Sequence, residues 1–421
     1  MQLKLSLMRN LFRKLLGLCL PVALLFSANV QAQSDRHEKP NIVLILSDDQ
    51  GWADYGFEGH PQIETPHIDT LARGGAAFSR GYVPVALCRP SLASIATGLY
   101  PHQTKITGND PTPASHELRE RLISQIDACP LVPKLLAKRG YVSFQAGKWW
   151  EGHYSRGGFT EGMTQGLGKD PLGRHGDAGL KIGREGMRPV FDFIDRNAGK
   201  TPFFLWYAPM MPHTPHNPPD RLFQKYKAKG IRSDHVARYY ATVEWFDETC
   251  GELLAYLDRK GLRENTLIIY TGDNGWLQDP NSENFIPGSK QAPQDAGIRQ
   301  PIIFNWPGAI PASPRSVQLA STVDIAPTIL GFAGAEIPAA MTGYNLRECL
   351  TAGTPTPRHP ARRSFARAIH TTYRNSATPR RTCSTAPSSM ANGSCCSLTT
   401  EKSMGSPSCI RTRNAARSCS I

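Results

Sequence analysis

Short, continuous apolar runs alternate along this chain with longer stretches in which apolar positions recur every three or four residues. "NIVLIL" (41–46) has no polar interruption, as expected of a strand buried on both faces of a parallel sheet. "TPFFLWYAP" (201–209), "NTLIIYTGDNG" (265–275) and "QPIIFNWPG" (300–308) carry the same signature. Between them "HIDTLARGGA", "SLASIATG", "LVPKLLAKRG", "MRPVFDFIDRN" and the long "HVARYYATVEWFDETCGELLAYLDRKG" have helical spacing. The last stops at Gly261, a C-cap signal, and "STVDIAPTILGFAG" is a further helix started or broken at Pro327. Strands alternating with helices predict an α/β fold: a large mixed, mainly parallel sheet sandwiched by helices.

Both ends depart from this pattern. Four basic residues precede "LLGLCLPVALLF", and small Ala32 stands before a polar start, so residues 1–32 read as a signal peptide. The apolar run is too short to span a bilayer, which predicts an exported protein, periplasmic or extracellular, without a stable membrane anchor. Residues 33–355 form the main domain. Residues 356–421 are basic and rich in Ser, Arg and Cys, with no core pattern; they read as a disordered or out-of-frame tail.

The formal net charge of +13 would suggest a nucleic-acid partner, but its distribution argues against one. From Thr351 onward eleven Lys/Arg face one acid, and the leader adds four basic residues. The stretch 33–350 is therefore close to neutral and has no basic excess to bind phosphate backbones. Of ten cysteines, five lie in the tail and Cys19 in the leader. Cys88, Cys129, Cys250 and Cys349 are too scattered to form a disulfide scaffold.

The chemistry gathers after the apolar runs. "NIVLIL" leads into Asp48 and Asp49, "TLIIYTG" into Asp273 and Asn274, and "FFLWYAPMMP" into His213, with His216 beyond. Ligands in such sheets bind outside the carboxyl ends of strands, so these groups can converge. Three carboxylates and one amide oxygen suit Ca²⁺ or Mg²⁺, and no Cys/His set has zinc-site spacing. "DDQG" or "DNG" alone is ordinary turn chemistry; both after buried strands point to a metal site. Cys88, with Pro90 behind it, stands at a helix start, where free N–H groups favour an anion and depress a thiol pKa.

In this order, "PNIVLILSDDQG", "CRPSLASIATGLYPHQ", "GKWW", "APMMPHTPH", "YTGDNG", "SKQAPQDAGIRQP" with "WPG", and "VDIAPTILGFAG" resemble the type I sulfatases, the formylglycine-dependent family of the alkaline phosphatase superfamily. The resemblance covers residues 40 to about 350. It implies that Asp48, Asp49, Asp273 and Asn274 hold Ca²⁺, in preference to Mg²⁺. It implies that a formylglycine-generating maturation enzyme oxidises Cys88 to formylglycine, whose hydrate supplies the nucleophilic oxygen. Lys148 and Lys290 match the lysines that hold sulfate oxygens, and His213 matches the histidine near the bridging oxygen.

Two positions depart from the family. Leu92 replaces the arginine of C-x-P-x-R, and Trp150 replaces a histidine that usually assists the formylglycine; His153 or His102 is a candidate substitute. Arg89 sits on another side of the first turn and is not expected to stand in for the missing arginine. The usual small C-terminal domain has no counterpart in the tail pattern. Aromatic and polar groups beside Lys148 (Trp150, His153, Arg174 and His175) suggest a sulfated carbohydrate substrate. The expected function is an exported sulfatase. Its alternatives are a phosphoester hydrolase of the same superfamily and a catalytically dead sulfated-glycan-binding protein.

Overall fold

A computed structural model describes residues 39–111, 115–166, 175–313 and 316–352. The expected signal peptide and basic tail lie outside these residues, as does Arg174. Eight strands form one sheet: β1 Asn41–Ser47, β2 Ala76–Tyr82, β3 Val142–Gly147, β4 Glu161–Gly162, β5 Phe203–Ala208, β6 Thr266–Gly272, β7 Ile302–Asn305 and β8 Ser316–Ser321. Their order is β4-β3-β5-β1-β6-β7-β2-β8. Every pairing is parallel except those of β7, which runs antiparallel to both β6 and β2. The mainly parallel sheet expected from the sequence is present.

The principal helices are α1 Pro66–Arg73, α2 Cys88–Thr97, α3 Val132–Ala137, α4 Arg188–Asn197, α5 Asp220–Ala228, α6 Asp234–Arg259 and α7 Ile325–Phe332. β1 shows why its sequence has no alternation. Ile42, Leu44 and Leu46 pack with Leu92 and Ile95 of α2, Leu136 of α3 and Ile329 of α7. Val43 and Ile45 pack on the opposite face with Ile68 of α1, Phe193 of α4, and Phe246 and Leu253 of α6. Both faces are covered, so every position of β1 is apolar and buried except its terminal Asn41 and Ser47, which are buried as well.

Four strands escape the apolar-run criterion; β8, "SVQLAS", is an edge strand buried only at its carboxyl end. β2, "AAFSRGY", lies near the sheet edge with mixed burial. β4 has only two residues. β3 hides polar residues that are satisfied internally: Gln145 donates to Gly147 O at 2.8 Å and accepts from Thr164 N at 3.0 Å.

Candidate active site

The strands β3, β5, β1 and β6 are adjacent and parallel, so their carboxyl ends form one edge. Lys148 follows β3, His213 lies on the loop after β5, Asp48 and Asp49 follow β1, and Asp273 and Asn274 follow β6. β2 runs the same way, because β7 is antiparallel to both β2 and β6, and α2 begins at Cys88 beyond its end. Lys290 comes from the loop between β6 and β7.

Backbone bonds tie these ends together. Asp48 N donates to Met211 O at 3.0 Å, docking the His213 loop on β1. Asp273 N donates to Ser47 O at 2.9 Å. Gln291 N donates to Ala86 O at 2.9 Å, joining the Lys290 loop to the approach to Cys88. Gly147 permits the exit from β3: its φ is +102°, and a Cβ there would lie 1.9 Å from Ala208 O.

The side chains converge. Lys148 Nζ lies 2.7 Å from Asp48 Oδ2 as an ion pair, out of line for a hydrogen bond. Lys290 Nζ donates to Asp49 Oδ2 at 2.5 Å, and His213 Nε2 lies 3.3 Å from the same oxygen. Asn274 Nδ2 donates to Asp49 Oδ1 at 2.6 Å, and Asp49 N to Asp273 Oδ1 at 3.2 Å. Cys88 Sγ stands 3.8 Å from Asp48 Oδ1 and 3.9 Å from Asp49 Oδ1. Of the eight expected catalytic and metal-ligand side chains, all but half-buried His213 are buried.

Burial and charge act against each other here. Burial raises the Asp49 carboxyl, but Lys290, His213 and Lys148 outweigh it and hold the group down to about 2. Burial also opposes the charge on both lysines, yet Asp48 beside Lys148 and Asp49 beside Lys290 keep each ammonium above its ordinary range. Asp273 is pushed well up by burial and by Asp48. The Cys88 thiol is pushed up by burial despite the helix start. His213 is lowered, chiefly by burial. Its Nδ1 lies 2.8 Å from Thr214 O, which can only accept, so Nδ1 carries hydrogen and Nε2 faces the carboxylates.

The donor set fits a divalent cation. Among the described residues, Asp273 Oδ2 and Asn274 Oδ1 are buried without a partner, and Asp48 Oδ2 has only its ion pair with Lys148. Unpaired buried oxygens of this kind are costly unless a cation or donor meets them.

The remaining expectations are placed differently. Trp150 is buried in the core, with its ring 4.2 Å from that of His175 and 5.9 Å from Lys148 Nζ. His153 Nδ1 accepts from Ser155 N at 3.2 Å and caps its own turn. His102 stacks on Tyr100. Neither histidine joins the ligand group around Cys88. Leu92 is buried in the apolar cluster. Arg89 forms a bidentate pair with Glu151, three residues beyond Lys148, at 2.9 and 2.7 Å.

Two contributors left no sequence signal. Arg184 donates to the carbonyls of Met210 at 2.8 Å, His213 at 2.8 Å and Pro215 at 3.2 Å, and so clasps the His213 loop. Glu151 holds Arg89 and thereby links the Lys148 segment to α2.

A mainly parallel sheet whose strand ends set buried carboxylates against buried cations belongs to the alkaline phosphatase-like α/β class. The Sulfatase family model matches residues 40–335. Human N-acetylgalactosamine-6-sulfatase is 30% identical over 357 residues, covering 75% of this chain and 66% of the relative. The ulvan-active sulfatase of Formosa agariphila is 28% identical over 352 residues, covering 76% and 66%. The chain thus spans about two thirds of the length of these curated relatives. The solved structure of Ps i-CgsB with k-i-k-neocarrahexaose matches with a TM-score of 0.62 and 29% identity, covering 75% of this chain and 77% of that one. The chain belongs to the sulfatase family.

Proposed function

We propose that this protein hydrolyses sulfate esters of a carbohydrate, using a formylglycine derived from Cys88 and a divalent metal, Ca²⁺ in preference to Mg²⁺, held by Asp48, Asp49, Asp273 and Asn274. The observation that carries the reading is the convergence of these groups with Lys148, His213 and Lys290 on one sheet edge. The names of the relatives support a sulfated glycan as the substrate class.

The formylglycine hydrate supplies the attacking oxygen, and the metal offsets negative charge. The chain's own residues supply the rest. Lys148 and Lys290 enter as fixed ammonium groups in a dry site, where they offset the charge of a sulfate ester and the charge that develops on its oxygens. His213 carries hydrogen on Nδ1 toward Thr214 O, so Nε2 would first take up a proton, and the resulting imidazolium would deliver that Nε2 proton to the departing alcohol. Arg184 holds that imidazole in place through the loop carbonyls. Trp150, buried with its ring against that of His175, backs Lys148 from the core side, and a sugar would be read further along the same segment, which carries His153. Export directed by residues 1–32 is part of the proposal; sequencing the N-terminus of secreted protein should find Gln33.

The test is release of inorganic sulfate from sulfated oligosaccharides and from an aryl sulfate, beside an aryl phosphate. Protein made in a formylglycine-forming host is used, and mass spectrometry of the Cys88 peptide establishes its state. Sulfate release by aldehyde-bearing protein supports the reading. Aldehyde-bearing protein that cleaves only the phosphate, or neither ester, overturns it.

A further inference from the structure

The structure carries a cysteine at position 88, and the thiol changes what the site can bind. One ligand atom from each of Asp48, Asp49, Cys88 and His213 can be chosen so that all lie within 4.8 Å of one another. Residues that share no zinc-site spacing in sequence thus bring together two carboxylates, a thiol and an imidazole. A tetrahedral site with bonds of about 2.0–2.3 Å needs ligand atoms roughly 3.3–3.8 Å apart. The sulfur lies 3.8 Å from Asp48 Oδ1 and 3.9 Å from Asp49 Oδ1, close to that range, and the imidazole lies 3.3 Å from the other Asp49 oxygen, Oδ2.

A second observation points to the same place. Asp273 is fully buried, its Oδ1 accepts from Asp49 N, and its Oδ2 has no partner. Thiolate and imidazole select zinc-like ions, whereas oxygen donors alone select Ca²⁺ or Mg²⁺.

We propose that the chain, while Cys88 remains a thiol, binds a thiophilic divalent ion of the Zn²⁺ class through Cys88, His213, Asp48 and Asp49. The chemical state of residue 88 then selects the metal. The thiol form takes a soft ion. Conversion to an aldehyde hydrate removes the sulfur and leaves a hard-oxygen site. This inference goes beyond the sulfate-ester reading and does not depend on turnover.

The experiment uses the full chain from a host without formylglycine-forming activity, with the thiol at Cys88 verified by mass. Co²⁺ is added anaerobically as a spectroscopic probe for Zn²⁺. A sulfur-to-cobalt charge-transfer band with tetrahedral visible bands is expected. Zn²⁺ should abolish both, and excess Ca²⁺ should not. Cys88→Ser should remove the charge-transfer band that saturates first and weaken Zn²⁺ binding by at least the order of 100-fold, the upper scale for losing an outer-shell partner. His213→Ala should keep the band, change the visible spectrum and lower affinity. A Cys88→Ser spectrum equal to wild type would assign the band to other cysteines and overturn the proposal; so would no band at all, or bleaching by Ca²⁺. Because the readout is spectral and the protein carries no aldehyde, the result is independent of whether mature protein cleaves sulfate esters.

Discussion

Removing Arg89 should cost stability because it leaves a buried carboxylate without its counter-charge. Its side chain is 0% exposed and that of Glu151 is 3% exposed. Two parallel bonds of 2.9 and 2.7 Å join them, and Arg89 Nη1 also donates to Asn109 O at 3.1 Å. Arg89→Met leaves the Glu151 carboxylate buried without a counter-charge, which costs about 3–5 kcal/mol. Glu151→Leu strands the guanidinium at a similar cost. The double variant replaces the pair with apolar groups of comparable size and should recover most of the loss, so that it costs less than either single variant. Urea unfolding at neutral pH, followed by tryptophan fluorescence, reads all four corners of this cycle. Acidification adds a signed check. Burial raises the Glu151 carboxyl above its ordinary value even with Arg89 beside it. Its favourable contribution is therefore complete below the ordinary carboxylate range and lost as pH rises through the folded value. Arg89→Met raises that value further, so its deficit should shrink as pH falls from neutrality toward the ordinary carboxylate range. Single variants that cost under about 1 kcal/mol, or a double variant worse than either single, would refute the reasoning.

Gly147→Ala should lower stability by at least about 2 kcal/mol, since strain at positive φ adds to a clash with Ala208 O; unfolding at wild-type denaturant would contradict this. Asp247 in α6 accepts from the backbone of His67 and Ile68 at the start of α1, and burial raises its carboxyl to about 7. Its contribution is present at lower pH and lost as pH rises through about 7, so Asp247→Asn should flatten the stability profile between about pH 5 and 8; an unchanged slope would assign the titration to another group. In aldehyde-bearing protein, His213→Ala should lower kcat by about 10²–10⁴-fold on sulfated sugars and less on an aryl sulfate, whose leaving group needs no proton. Equal losses on both substrates would remove the general-acid role.

The sequence exposes groups whose surroundings are local and conceals those whose partners are remote. Asp48, Asp49, Asp273 and Asn274 each follow a continuous apolar run, so strand and strand end are both legible. Cys88 is legible as a helix start because Pro90 and Gly98 bracket a turn-length apolar stretch, and α2 occupies Cys88–Thr97. Glu151 is opaque, since it pairs with Arg89 across 62 positions and nothing near either residue marks the other. Arg184 is equally silent, because it binds backbone carbonyls and no side-chain pattern records that. His153 looks well placed by its nearness to Lys148 in sequence, but Ser155 draws its ring into a local turn. β3 is missed because Gln145 and Ser143 are polar yet buried.

The bond between Gln291 N and Ala86 O also sets a clock. It closes the surroundings of Cys88 only after the segment bearing Lys290 has been made, about two hundred residues downstream. At roughly 5–20 residues per second, synthesis of that interval takes about 10–40 seconds. In the folded protein Cys88 is 1% exposed and beyond the reach of another enzyme. On the proposed reading, an enzyme that converts Cys88 would have to act before this closure, so slowing synthesis or delaying closure should raise the converted fraction without altering a single residue around Cys88.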